Sequence, residues 1–419
     1  MSLAGRAAPA RADRIQAFDV ARGSAMLLVF LSHFSLRYLK VASGLRWHAA
    51  QGWVTLGATP AFVLVSGMML GLLRTARADF TRMRDKLIDR GLFLLIVARP
   101  LIAIAHIALV KDWQQAFIDI VYITDTVGVS LILGALIAER VGDWGRLWLG
   151  LAVLATSWTA NIAWSPDFPG GQLVEELLFG RLQGDSLLSN FPLLPWFGWY
   201  LIGSGVGALV VRAHADGAGR AAARVLFRAA AVSAVVAAIA KAAESPLRLA
   251  SSDLMTAVGR TASLMSVREK LPPGVTYLAL YGALSALGVG MVLRWGDRIG
   301  ASSRPATAIW RALAMLGRNS LLAFVLQFYV YSAVHLLPKP PAWTAPAYFA
   351  LTVAVLLAAI AACDRLRLNR MFSVGFARLA HARRQRALPV GRLVTPVPAQ
   401  PGLPPPREPG SPGAAAERR

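Results

Sequence analysis

Long apolar segments separated by short polar ones dominate this chain. Each is about 20 residues long, which is the length an α-helix needs to cross a bilayer. Ten such segments lie near residues 17–38, 52–73, 88–110, 116–138, 147–164, 192–211, 224–242, 275–294, 320–337 and 343–363. The pattern predicts an all-α protein, a polytopic transmembrane helical bundle of about ten spans within residues 16–363.

The two ends of the chain differ in composition from this apolar region. Residues 1–15 are a short basic arm, and residues 364–419 are basic and then rich in proline and glycine. The tail has too few apolar residues for a core, so we predict that it is largely disordered. Residues 165–191 and 243–274 are long loops, and each is either a lid or acceptor-binding surface or an interfacial helix that only packs on the bundle.

Basic residues lie mainly on one side of the predicted topology. If the N-terminus is cytoplasmic and the spans alternate, 31 of the 44 Lys and Arg residues fall on the cytoplasmic side. This bias sets membrane orientation, so the net charge of +22 is mainly a topology signal. Basic and aromatic residues do not alternate as they do in segments that bind single-stranded nucleic acid. We predict a plasma (inner) membrane protein with both termini in the cytoplasm and no nucleic-acid partner.

Cysteine and histidine follow no metal-site pattern. Cys363 is the single cysteine, and the six histidines are scattered without an HExxH or similar spacing. We therefore predict no internal disulfide and no bound metal.

The first apolar segment contains titratable side chains, which are costly in hydrocarbon and usually line a polar path or a site. Arg22 and His33 are eleven residues apart, about three helical turns, so they share one face roughly 16 Å apart. Asp19 precedes Arg22 by three residues and can pair with it. The helix thus offers an ion pair near one membrane surface and an imidazole toward the other. The same sequence pattern would result if His33 had only a structural role and if Asp19 and Arg22 only neutralised each other.

Other polar groups lie in or beside later spans. Arg99 is expected to pair with Asp119 or Asp125, which point to different faces of the fourth span. Asn319 and Ser320 open the ninth span, where they either cap the helix or supply a hydrogen-bond donor.

Five stretches, taken together and in order, carry a family resemblance. They are RIQAFDVARGSAMLLVFLSH (14–33), GATPAFVLVSGMMLGL (57–72), DTVGVSLILGALI (125–137), FPLLPWFGWYLIGSGVG (191–207) and LGRNSLLAFVLQFYVY (316–331). This set resembles the integral-membrane acyltransferases that include heparan-α-glucosaminide N-acetyltransferase and its bacterial relatives. Arg22 and His33 also look like the opening motif of the acyltransferase 3 superfamily. The resemblance covers roughly residues 14–363.

The resemblance implies an enzyme that moves an acyl group from cytosolic acyl-CoA, with acetyl-CoA as the expected donor, to a sugar or glycan acceptor on the other side of the membrane. His33 matches the histidine of the opening motif, and Arg22 its arginine. His48 competes for the catalytic role, because it precedes Pro60 as the active histidine of the lysosomal enzyme precedes its second span. Bacterial relatives often carry an acid before the first histidine, where this chain has Ser32.

The chemistry of acyl transfer assigns roles to these residues. Histidine can act as the base or as the acyl carrier. Asn319, Ser320 or Trp196 could donate to the oxyanion, and Asp125 could orient a histidine if the fold brings it near. Arg22 and the cytoplasmic cluster suit the negative charges of CoA; this cluster is Arg82, Arg84, Lys86 and Arg90.

Two other classes of function stay open. Buried charges would also line the path of a transporter or flippase, although no internal repeat is evident. An inactive scaffold that uses its C-terminal tail for partners is a third possibility. The sequence gives no information on the oligomeric state.

Overall fold

The computed structural model describes residues 16–42, 52–76, 80–182, 191–338, 341–369 and 372, with the backbone alone at 35–42, 216–218, 297 and 342. No strand occurs in this part of the chain, which confirms the all-α prediction. The α-helices found there are α1 Gln16–Ala42, α2 Ala58–Thr75, α3 Thr81–Phe93, α4 Arg99–Val110, α5 Ile123–Arg140, α6 Asp143–Ala163, α7 Pro169–Leu178, α8 Leu193–Ala250, α9 Ala257–Leu264, α10 Val275–Ala301, α11 Arg304–Arg318, α12 Ser320–Leu336 and α13 Ala345–Arg365.

Seven helical segments in the described residues are long and apolar enough to cross a membrane, and the bent pair α11 and α12 would make an eighth. This is fewer than the ten spans predicted. The predicted spans 116–138 and 147–164 form α5 and α6, which are not among these segments. Helix α5 carries Asp125, Glu139 and Arg140 within its 18 residues. Both helices still pack against α8.

The predicted fourth span begins later than its apolar run. Gln115–Asp119 forms a π-helical turn, Ile120 is extended, and α5 starts only at Ile123. The Asp125 carboxylate accepts a hydrogen bond from the Tyr122 backbone N–H at 3.0 Å, which fixes the start of the helix. Hydropathy measures the apolar content of a run and does not register such a break.

Helix α8 is a 58-residue helical run where the sequence predicted two spans. A straight helix of this length would extend about 87 Å, far beyond the hydrocarbon core of a bilayer. Yet the Trp199 ring and the Ser233 hydroxyl both lie against Gly282 of α10. The helix must therefore reverse between them, and its halves Leu193–Ala215 and Gly219–Ala250 are separate candidate spans.

Helices α2 and α8 approach so closely that only glycine fits at their crossing. A Cβ atom at Gly67 would lie 2.1 Å from the Tyr200 carbonyl oxygen, and one at Gly71 would lie 2.1 Å from that of Ser204. Two glycines of α8 are restricted in the same way by carbonyls of α2. Such small-residue crossings let membrane helices gain van der Waals contact. This crossing fixes the fully buried Tyr200 beside α2.

Helices α11 and α12 meet at 91°, and both contact α1. Helix α11 packs so tightly on the start of α1 that a Cβ at Gly317 would lie 1.8 Å from the Asp19 carbonyl oxygen. The bend then directs α12 along α1. This arrangement sets Ser320 beside Arg22 and so positions the candidate site.

Candidate active site

Helices α1 and α12 lie side by side and run in the same direction. Arg22 Nη2 donates a hydrogen bond to Ser320 Oγ. Eleven residues further along both helices, the centroids of the His33 and Tyr331 rings are 5.9 Å apart. The His33 ring also meets Phe328 edge-on at 5.5 Å. The face shared by Arg22 and His33 is thus directed toward α12, and we call this contact the α1–α12 seam.

A small cavity of about 80 Å³ lies at the Arg22 end of the seam. We call it the Arg22 cavity; its polar lining consists of Arg22, Ser66, Arg90, Thr124, Tyr200 and Ser320. No carboxylate occurs among the described residues that line it. Two guanidinium groups, those of Arg22 and Arg90, lie in its lining, and guanidinium groups suit the binding of a phosphate group.

Aromatic rings connect the Arg22 cavity with His33. Phe324 lines the cavity, and its ring centroid is 5.5 Å from that of Phe328, which contacts His33. Phe62 of α2 lies 6.3 Å from Phe324 and adds to the same wall. The side chains between the Arg22 cavity and His33 are therefore mainly apolar rings.

A second pocket, of about 430 Å³, opens at the His33 end. We call it the cationic pocket; it is lined by Ser32, Gly52, Trp53, Thr55, Leu56, Arg268 and Lys270. The Arg268 guanidinium lies 5.5 Å from the centre of the Trp53 ring, and Lys270 Nζ lies 5.6 Å from that of Phe191. The pocket therefore combines two cations with aromatic surface.

His33 as a residue has intermediate exposure, between the buried and exposed classes. Its chain neighbour Ser32 lines the cationic pocket, while the ring itself packs against Phe328 and Tyr331. The imidazole thus packs against the aromatic rings of α12, one residue along α1 from the lining of the second pocket. A histidine in this position can take a proton from an acceptor or hold an acyl group.

His106, which the sequence did not single out for chemistry, lies on another side of Phe328. Its ring centroid is 6.0 Å from that of Phe328 and 5.8 Å from that of Tyr122. His106 Nδ1 is buried and makes no hydrogen bond to any residue that the structure describes. Two histidines therefore flank a single phenylalanine ring.

Asp125 pairs with Arg99, with 3.3 Å between Oδ2 and Nε. This confirms the expected ion pair and selects Asp125 over Asp119 as the partner. The same carboxylate holds the Tyr122 backbone N–H. Asp125 therefore lies beside Tyr122, whose ring contacts His106. Its role as an acid that orients a catalytic histidine stays a prediction.

Asn319 and Trp196, two predicted hydrogen-bond donors, are placed in packing positions. The Asn319 side chain donates to the Met315 carbonyl at 3.1 Å and accepts from Asn369 at 2.7 Å, and it forms no helix cap. Trp196 is fully buried against Tyr277, with 6.4 Å between ring centroids. Neither side chain lines the Arg22 cavity or the cationic pocket.

The remaining predicted site residues are Asp19 and His48. Asp19 is buried at the start of α1, where α11 crosses it. His48 falls in residues 43–51, outside the described part of the chain. The choice between His33 and His48 therefore stays a prediction.

The loop between α9 and α10 contributes both cations of the cationic pocket, Arg268 and Lys270. Burial lowers the pKa of Lys270 below the usual value for lysine. Burial raises the pKa of its neighbour Glu269, whose Oε2 accepts a hydrogen bond from Ser263 Oγ at 2.6 Å. Lys270 thus loses its charge more readily than a surface lysine, and a bound anion would stabilise the charged form.

Comparison with known families agrees with this geometry. The family model described as heparan-alpha-glucosaminide N-acetyltransferase, catalytic, matches residues 14–244, more than half of the chain. The chain belongs to this family. Membership, together with the apolar helices, indicates an integral-membrane acetyltransferase. The match includes Arg22 and His33, whereas Ser320, Arg268 and Lys270 lie beyond it. No curated protein matches the chain.

In the described residues, no group of three or more His, Cys, Asp or Glu side chains could hold a metal ion.

His106, Arg268 and Lys270 were not identified from the sequence as residues of the site. No local pattern marks them, because helices and a loop distant in sequence bring them to the site. Arg90 was only one of four basic candidates, and of these it alone lines the Arg22 cavity.

Proposed function

We propose that this chain transfers an acetyl group from acetyl-CoA, bound from the cytoplasm, to a hydroxyl or amine of a sugar acceptor on the other side of the plasma membrane. The observation that carries the proposal is the α1–α12 seam. It joins a cavity with two guanidinium groups to a half-buried histidine and a second polar pocket. The family match supports acetyl transfer.

In this proposal Arg22 and Arg90 hold the phosphates of the donor at the Arg22 cavity. The Arg22–Ser320 hydrogen bond orients one guanidinium at the cavity wall. The pantetheine arm then follows Phe324 and Phe328 toward His33. Arg22 and His33 are roughly 16 Å apart along the helix, so a donor bound at one end can present its thioester at the other.

At His33 the acceptor oxygen or nitrogen attacks the thioester carbonyl while the imidazole takes its proton. The tetrahedral intermediate collapses, the carbon–sulfur bond breaks, and the CoA thiolate leaves and takes up a proton. In the two-step form of the reaction, the His33 nitrogen attacks first and the acetyl-imidazole is then transferred to the acceptor. Both forms require the same residue.

The test uses the purified full chain with radiolabelled acetyl-CoA in detergent. We expect His33→Ala to lose turnover, and His214→Ala, a histidine of α8 away from the seam, to retain it. Turnover that persists in His33→Ala and disappears in His48→Ala would move the catalytic role to His48. Mass spectrometry after incubation with acetyl-CoA alone would show an adduct on histidine only in the two-step form.

The same assay distinguishes an enzyme from a transporter. Turnover in detergent micelles supports acyl transfer, because a micelle has no separate compartments. A signal that occurs only in sealed vesicles would instead indicate transport.

A further inference from the structure

An apolar groove opens on the outside of the bundle between α1, α2 and α10. It has a volume of about 480 Å³. Its walls are mainly small side chains, including Ala21, Ser24, Ala25, Gly57, Ala61 and Gly288. A Cβ atom added at Gly288 would meet nothing within 4 Å, so the groove is open at that depth. We call it the α1–α10 groove.

The α1–α10 groove leads into the cationic pocket. Trp53 lines both of them. Helix α1 contributes one continuous stripe, with Ala21, Ala25 and Leu28 in the groove and Ser32 in the pocket. These positions follow the spacing of a single helical face. A ligand along the stripe would pass from apolar to cationic surroundings within about one helical turn.

The two compartments together fit an amphiphile with an anionic head. Arg268 and Lys270 supply the charge, and no carboxylate occurs among the described residues that line the pocket or the groove. Ser32 lines the pocket and His33 follows it in α1, so the head of such a molecule would lie at the same level of that helix as the proposed catalytic imidazole. The groove would take a hydrocarbon chain, because its wall is apolar and faces outward.

We propose that the acceptor is a lipid-linked glycan, in which a phosphate joins the sugar to a long hydrocarbon chain. The chain occupies the α1–α10 groove, the phosphate binds Arg268 and Lys270, and the sugar reaches His33. The inference rests on the proposed acetyl transfer and names the class of its acceptor. A bilayer lipid that merely fills the surface would show no preference for the phosphate.

The binding experiment uses purified full-length protein and a photoreactive polyprenyl phosphate, with the uncharged polyprenol of equal length as the comparison. We expect the phosphate to cross-link more strongly than the alcohol. The double variant Arg268→Gln with Lys270→Gln should reduce labelling on the order of tenfold, because a charge-assisted contact is lost. Gly288→Leu should reduce labelling similarly by filling the groove, and Ser24→Phe provides a second blocking variant.

Two control variants lie outside this surface. Lys241→Gln removes an exposed cation that pairs with Glu244 at 2.5 Å, and Gly142→Leu adds a side chain in open space between α5 and α6. Both should retain labelling. Equal labelling by the phosphate and the alcohol, or full labelling in both Gly288→Leu and Ser24→Phe, would overturn the inference. Competition by inorganic phosphate alone would show a site for the free anion and would also overturn it.

Acetyl-CoA turnover is measured on the same samples to keep the two proposals apart. Turnover that depends on His33, without selective labelling, would support acetyl transfer and exclude the lipid-linked acceptor. Selective labelling without any turnover would support a lipid-binding site and exclude the proposed reaction.

Discussion

Arg90 allows a test of the donor site. It lines the Arg22 cavity, whereas Arg84 of the same helix is bound to Glu139 at 2.6 Å. We expect Arg90→Gln to raise KM for acetyl-CoA on the order of tenfold with a smaller change in kcat, because a phosphate contact is lost. Arg90→Lys should recover part of the loss, since it keeps the charge but not the planar fork.

The matched control for Arg90 is Arg140→Gln. Arg140 is exposed, and its guanidinium donates to the Leu136 carbonyl of its own helix at 3.3 Å. Its KM should equal that of the unmodified protein. An unchanged KM in Arg90→Gln would exclude Arg90 from donor binding.

Glu269 should make the stability of the folded protein depend on pH. Burial raises the pKa of its carboxyl, so the folded state favours the protonated form. The resulting stability is present at low pH and is lost as the pH rises through the folded pKa. We expect Glu269→Gln, which mimics the protonated form, to have a higher Tm than the unmodified protein at pH 7.5. The difference should shrink as the pH approaches 4.5 in a detergent thermal melt.

A constant difference in Tm across that pH range would contradict the assignment to Glu269. The comparison of the two proteins at each pH cancels the contribution of all other titrating groups. Ser263→Ala is a useful companion, because it removes the hydrogen bond to Oε2 without changing the charge.

The sequence predicts site residues well only where they share one helix. Arg22 and His33 could be placed on a common face because helical spacing fixes their relation. Their partner on α12 could not be derived, since it lies almost 300 residues away and depends on the bend at Asn319. The same holds for His106 and Lys270, which reach the site only through tertiary packing.

At the scale of helices, the crossing of α2 and α8 should tolerate no added methyl group. In an exposed helix, replacing glycine by alanine stabilises by roughly 1 kcal/mol. At Gly71 the new Cβ would lie 2.1 Å from a carbonyl oxygen of α8, so we expect Gly71→Ala to lower Tm. Gly288→Ala in α10, where the Cβ meets nothing within 4 Å, should leave Tm unchanged or raise it.

Thermal melts in one detergent measure both glycine variants. Because the substitution is the same and both positions are helical, propensity cancels and the difference reports the helix contact alone. An equal Tm for the two variants would show that α2 and α8 can separate without cost.

Helix content was predictable from apolar runs, but helix boundaries were not. The predicted span 116–138 is interrupted because Asp125 binds the Tyr122 backbone and Arg99. The two spans within α8 were correctly expected from two apolar runs, although they lie within one helical run. Both differences arise from polar contacts and backbone geometry, to which mean hydropathy is insensitive.

At the scale of the whole molecule, charge distinguishes the two ends of the bundle. The exposed face of α11 carries Arg304, Arg311 and Arg318 at the end that contains Arg22. Such a basic helix suits the anionic cytoplasmic leaflet. This orientation would turn the Arg22 cavity toward the compartment that contains acetyl-CoA, and the cationic pocket toward the other side.

The orientation can be tested by cysteine labelling in intact cells. In a Cys363→Ser background, which removes the single native cysteine, Leu249→Cys marks the His33 end and Ser302→Cys marks the Arg22 end. Leu249 is 89% exposed, and Ser302 is also exposed, so both thiols should react when reagent reaches them. We expect a membrane-impermeant maleimide to label Leu249→Cys in intact cells and Ser302→Cys only after permeabilisation. Labelling of both after permeabilisation controls for reactivity. The reverse pattern would place the Arg22 cavity opposite the cytosolic pool of CoA, and the donor would then have to enter beside His33.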